Sequence, residues 1–279
     1  MTKQATIEKP VSVSGLGLHT GEITSLTFKP APVNSGVLIK RIDLPGQPEF
    51  PALVSSVLDT QRSTTLGVLP AIIGTVEHIL ASLQCLDIDN VIIEADAPET
   101  PLLDGSARDF VDALLSAGRV EQDGSIECVT LEQAVFIDCD SATLCAIPSD
   151  IFRISYTMSY AHPVLGHQFL SMPVTRDSFI NEISPCRTFA LYSELEQLLK
   201  RGLIKGGSLD NAIVVTDNAI LSKEGLRFPD EFVRHKIMDL IGDLSLIGKR
   251  LKAHVVSIRS GHSHNVKLAR AICEQALRQ

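Results

Sequence analysis

Residues 5–55 alternate apolar and polar positions in three short runs, TIEKPVSVSG, EITSLTFKP and GVLIKRID, separated by Gly, Pro and Asn. A period of two broken by turn residues predicts an antiparallel sheet. The period then changes. In GTVEHILASLQCL, Val76, Ile79, Leu80 and Leu83 share one helical face, and Thr75 stands where an N-cap is expected. A strand, NVIIEA, a loop with two prolines, PETPLLDG, and a second helix, SARDFVDALLSAG, ended by Gly118, follow.

The second half runs through the same plan. Its strands are ECVTLEQAVFID, SATLCAIP, FRISYTMSY and HQFLSMP, followed by a long helix, PDEFVRHKIMDLIGDLSLIG, a strand, KAHVVSIRS, and a closing helix from His262 to Leu277. GTVEHILASL matches FVRHKIMDLI, VIIEA matches HVVSI, and SARDFVDALL matches HNVKLARAI at a nearly constant offset, so that His78 and His235 fall at equivalent points. This order predicts an α+β fold of two similar two-layer sandwich domains from an internal repeat, residues 1–122 and 127–279. A site is expected at their junction. The segment from Thr188 to Thr216 has no counterpart in the first half. It reads as a helix, LYSELEQLLKRG, a Gly-rich turn and a strand, an insert at about 190–215 suited to binding rather than to the core.

Composition narrows the function classes. The 279 residues are 44% hydrophobic and 21% charged, which suits a sizeable core and excludes a disordered or fibrous chain. A net charge of −8, no basic run, 5% aromatics and no Trp argue against a nucleic-acid face and against attraction to anionic membranes. The longest apolar stretch, Leu66 to Val76, is interrupted by Gly67, Pro70 and Gly74 and falls short of the ~20 residues a transmembrane helix needs. The first residues lack the apolar core of a secretory signal, so a cytoplasmic location is expected. Six cysteines without a C-x-x-C pair predict reduced thiols and no closed structural zinc site.

The candidate chemistry lies on the long helix, where His235, Asp239 and Asp243 are spaced i, i+4, i+8 along one face. A His and a carboxylate one turn apart can reach one metal, and a solvated polar stripe gives the same pattern. Three features favour the metal. Glu77 precedes His78 between apolar residues of the matching helix, Lys236 adjoins His235, and His262 follows a glycine at the start of the last helix, where the dipole favours anions. Two histidines and a carboxylate would leave a tetrahedral zinc with an open position. Glu77 and His262 suit the base and acid of a hydrolysis. His262 and His264 also form H-x-H, but a strand is not expected there. His162, His167 and His254 read as structural, and no H-E-x-x-H of a metalloprotease occurs.

GLGLHTG, TVEHILASL, APETPLLDGSA, CRTF, KGGSLDNAIVV, EGLRFPDEFVRHKIMDLIGDL and SGHSHNVKLA, in order over about residues 7–275, closely resemble the motifs of the UDP-3-O-acyl-N-acetylglucosamine deacetylase family of lipid A synthesis. The resemblance implies two α+β sandwich domains with the active site between them. It implies hydrolysis of the acetamido group of UDP-3-O-(3-hydroxyacyl)-N-acetylglucosamine by a monomer, with water as co-substrate. By the same resemblance, one catalytic Zn2+ would be bound by His78, His235 and Asp239. Glu77 would be the general base, His262 the general acid, Asp243 the holder of the His262 ring, and Thr188 a donor to the oxyanion. Phe189 and Lys236 would contact the sugar, Arg259 would face the diphosphate, and His19 would be a further substrate contact. The insert at 190–215 would form a passage for the acyl chain. Ser63 in RSTTLG stands where the family often has cysteine.

Overall fold

Along the strand Ile23–Pro30, Thr24, Leu26 and Phe28 are buried and their neighbours are not, which lays one face of the strand on a core. The same alternation buries Val91, Ile93 and Ala95 of the strand Val91–Ala95. In the computed structural model, which describes residues 3–139 and 141–277, these strands belong to a sheet ordered Val11–Leu16, Ile23–Pro30, Val91–Ala95, Val37–Arg41, Glu49–Pro51. Val91–Ala95 and Val37–Arg41 run parallel, and every other neighbour pair is antiparallel.

A second sheet is ordered Val135–Cys139, Ala142–Pro148, Arg250–Ile258, Arg153–Ser159, His167–Pro173. Its third and fourth strands are the parallel pair. Strand order and strand direction therefore match those of the first sheet. Cys128–Thr130 adds to the second sheet by pairing in parallel with Arg250–Ile258. The run ECVTLEQAVFID is thus two strands with different partners, not one.

The helices are α1 (Glu77–Cys85), α2 (Arg108–Ser116), the single turn α3 (Arg176–Ser178), α4 (Tyr192–Lys200), α5 (Glu231–Ser245) and α6 (His262–Ala276). α2 lies on the first sheet and against α1, while α5 and α6 lie on the second sheet. α1 packs along α5, so the two helical layers meet in the middle of the molecule. Between the strands Phe189–Leu191 and Ile213–Val215, which pair in parallel, sits α4. Among the described residues no helix is long and apolar enough to cross a membrane.

Two local features place the site. Thr75 does not cap α1: its φ is +59° and its hydroxyl donates to Glu99 Oε1 at 3.1 Å. Val76 occupies the cap position, and its N–H donates to the Thr64 carbonyl at 3.3 Å. The second feature is Gly242 on α5, where an added Cβ would stand 2.1 Å from the Glu77 carbonyl oxygen of α1. Backbone meets backbone there, beside the residues singled out for chemistry. Gly242→Ala should therefore force the helices apart and destabilise the fold by about 1–3 kcal/mol. Thermal unfolding checks this, and an unchanged melting temperature would contradict it.

Candidate active site

α1 and α5 present His78, His235 and Asp239 to one another. His235 Nε2 lies 3.4 Å and His78 Nε2 3.7 Å from Asp239 Oδ1, and the three ligand atoms lie within 4.8 Å of one another. All three residues are buried. Tetrahedral zinc with bonds near 2.0–2.1 Å holds its ligand atoms roughly 3.3 Å apart, so these residues fit such an ion with little movement. The fit extends to protonation. His235 Nδ1 donates to the Cys186 carbonyl at 3.0 Å, which leaves Nε2 free to ligate. Burial pushes the His235 pKa down to about 4, so the ring is neutral at pH 7.

Asp239 is held well below the usual carboxylate range: burial opposes ionisation, but Lys236 and His235 overcome it. Lys236 Nζ donates to Asp239 Oδ2 at 2.8 Å and lies 5.7 Å from the centroid of the Phe189 ring. Phe189 also packs edge-on against Phe232 and His235.

Glu77, the first residue of α1, is almost fully buried beside His78. Its Oε1 lies 3.9 Å from His262 Nε2, and its Oε2 accepts the Thr64 N–H at 3.0 Å. Burial raises the Glu77 pKa, which makes it a stronger base than an exposed glutamate. His262 opens α6. Its Nδ1 donates at 2.9 Å to Oδ2 of Asp243, an oxygen that also accepts from Asn265 Nδ2. Burial alone would lower the His262 pKa, but Asp243 and Glu77 together push it up to about 9, with a smaller contribution from Asp239. The ring is therefore charged at neutral pH.

A cleft of about 290 Å³ opens over these groups, lined among others by Ser63, Glu77, His78, Thr188, Phe189, His235, Lys236, Asp239 and His262. Thr188 reaches it because its N–H donates to the Gly105 carbonyl and its own carbonyl accepts from Ile213, which fixes the loop ahead of the insert. Two candidates stand off its wall. Arg259 is exposed, one residue before the lining residue Ser260, with φ of +58°. His19 follows the lining residue Leu18; its N–H and that of Thr20 donate to the buried carboxylate of Glu99, and both its ring nitrogens are buried without a partner. A second cleft of about 330 Å³, along the far end of α1, has its charges paired, Arg250 with Asp87 and Asp89 and Lys249 with Glu127.

Thr64 and Asn265 escaped the reading from sequence. The polar run Ser63, Thr64, Thr65 ahead of Leu66 was the available signal, and it does not say where the hydroxyls point.

The family model described as UDP-3-O-acyl N-acetylglycosamine deacetylase matches residues 4–274. The UDP-3-O-acyl-N-acetylglucosamine deacetylase of Chlamydia abortus is 46% identical over 272 residues, which cover 97% of this chain and 97% of that protein. The enzyme of the same name from Chlamydia felis is 46% identical over 273 residues, 98% of this chain and 97% of its own. That of Chlamydia trachomatis serovar L2 is 45% identical over 272 residues, covering 97% and 95%. Similarity of this extent, spanning both sheets and every residue of the buried cluster, decides the matter: the chain belongs to the UDP-3-O-acyl N-acetylglycosamine deacetylase family.

Proposed function

We propose that this chain hydrolyses the N-acetyl group of UDP-3-O-(3-hydroxyacyl)-N-acetylglucosamine in lipid A biosynthesis, giving the free amine and acetate, with one Zn2+ held by His78, His235 and Asp239. The carrying observation is the convergence of those three buried ligands with Glu77 and His262 in one cleft, on a chain of this family. The matched strand orders support reading residues 1–122 and 127–279 as two repeated sandwich domains.

When bound, the ion supplies Lewis acidity toward the amide carbonyl and toward the attacking water. The chain supplies the proton transfers. Glu77 takes a proton from water as its oxygen bonds to the carbonyl carbon, and the Thr188 hydroxyl donates to the oxyanion that forms. The C–N bond then breaks, its electron pair stays on nitrogen, and His262 delivers the proton that makes the amine leave. Asp243 keeps the His262 ring charged and aimed. Phe189 and Lys236 flank the sugar, with Arg259 toward the diphosphate and His19 at the rim. The acyl chain runs along the insert at 190–215, where Leu195, Leu203 and Ile204 are only partly buried and Leu199 is exposed.

Replacing His78, His235 or Asp239 with Ala should remove the metal, measured by elemental analysis. Glu77→Gln should keep it and lose about 10²- to 10⁴-fold in kcat. Full metal content in all three alanine variants would sink the ligand set, and near-normal turnover in Glu77→Gln would remove it as the base. A metal-replete wild-type protein that binds the substrate yet releases no acetate would point instead to a binding protein. In the same assay, each methylene removed from the acyl chain should weaken kcat/KM, by up to about 0.8 kcal/mol. A flat chain-length profile would place the passage elsewhere.

In the chelated protein, NMR should find the His262 imidazole titrating near 9, shifted by the facing charges of Asp243, Glu77 and Asp239. A raised folded-state value means that this ring adds stability fully present below about 6.5 and lost as pH rises through 9. Loading a dication should lower its pKa by repulsion. A midpoint at the ordinary 6.5 in the chelated protein would contradict the charged-acid assignment.

A further inference from the structure

We propose that Thr64 is a positioning residue that holds the general base and the acid-orienting carboxylate in one rigid frame. The proposal rests on the roles given above to Glu77 and His262. Thr64 is fully buried, and three of its polar groups are engaged in the site. Its N–H donates to Glu77 Oε2 at 3.0 Å, its carbonyl accepts the Val76 N–H at 3.3 Å, and its hydroxyl donates to Asp243 Oδ1 at 2.5 Å. Asp243 Oδ2 in turn accepts from His262 Nδ1, and His262 Nε2 faces Glu77 Oε1 across 3.9 Å. A ring of contacts is thereby closed, Glu77 to Thr64 to Asp243 to His262 and back.

That ring is anchored beside a sheet. Thr64 directly precedes the strand Thr65–Val68, the middle of a three-stranded sheet completed by Val57–Asp59 and Ala71–Ile73. Its hydrogen bonds tie the edge of this sheet to Glu77 of α1 and to Asp243 of α5. Without its hydroxyl, Asp243 keeps His262 and Asn265 on one oxygen and loses the Thr64 donor to the other. The carboxylate is then free to turn about its bond to the helix, and the imidazole turns with it. Misplacement of a reacting group by about 1 Å is enough to cost on the order of 10²-fold in rate.

The test uses the full-length, zinc-loaded protein and acetate release. Thr64→Val keeps the shape and the backbone N–H to Glu77 but removes the hydroxyl. It should lower kcat by about 10- to 100-fold, leave KM within about threefold, and leave metal stoichiometry unchanged. Thr64→Ser should recover most of the lost kcat. A Thr64→Val protein within about twofold of wild-type kcat overturns the proposal, as does one whose defect lies in KM or metal content. Serine performing as poorly as valine overturns it too. If the valine variant does not fold, Thr64→Cys, a weak donor of similar size, takes its place and must fall well below Thr64→Ser; equality of the two overturns the proposal. Wild-type protein that releases no acetate overturns the functional reading itself, an outcome distinct from an active wild type with equally active variants.

Discussion

The site depends on the contact of α1 with α5, where Gly242 lets one helix backbone rest on the Glu77 carbonyl of the other. His78 comes from one helix and His235 and Asp239 from the other, so the separation of their ligand atoms is set by the interhelical distance. A side chain at position 242 would act on that distance directly. The two sheets serve this contact. Each buries one face under its own helices, and the joined helical layers then carry the polar cluster to the buried floor of the cleft.

Burying so many charges is costly unless they answer one another. Lys236 answers Asp239, and His262 answers Asp243 and Glu77, with Thr64 and Asn265 supplying the remaining donors. Removing one partner strands another. The same field sets their protonation: a glutamate made more basic by burial faces a histidine kept charged by its carboxylate neighbours, as the proposed hydrolysis requires. In the proposed roles, Glu77 and His262, 3.9 Å apart beside the three candidate ligand atoms, are close enough to act on opposite sides of one amide bond.

Much of this was legible from the chain. Residues at i, i+4, i+8 on a long helix must share a face, so His235, Asp239 and Asp243 were visible as pattern, whereas Glu77 and His78 lie off the face of Val76, Ile79, Leu80 and Leu83 and are buried because α1 is enclosed on nearly every side. Their identity as partners came from the matched plan of the two halves. What pattern does not encode is tertiary hydrogen bonding. Thr75 has the right chemistry and place for an N-cap, but its backbone is left-handed and its hydroxyl serves Glu99, which fastens the loop of His19 and Thr20. Thr64 looks like any strand threonine, and its role rests on which way its hydroxyl points. ECVTLEQAVFID reads as one strand because periodicity ignores partners, whereas the sheet splits it between two.

In the proposed site, the α1–α5 contact builds one catalytic metal centre from His78, His235 and Asp239. Anomalous diffraction at the zinc edge, on crystals of the zinc-loaded protein, tests it most directly. A single strong peak is expected, bonded to His78 Nε2, His235 Nε2 and an Asp239 carboxylate oxygen at about 2.0–2.2 Å, with one position left open toward the cleft. A peak elsewhere, or an ion closed off by four protein ligands, would contradict it.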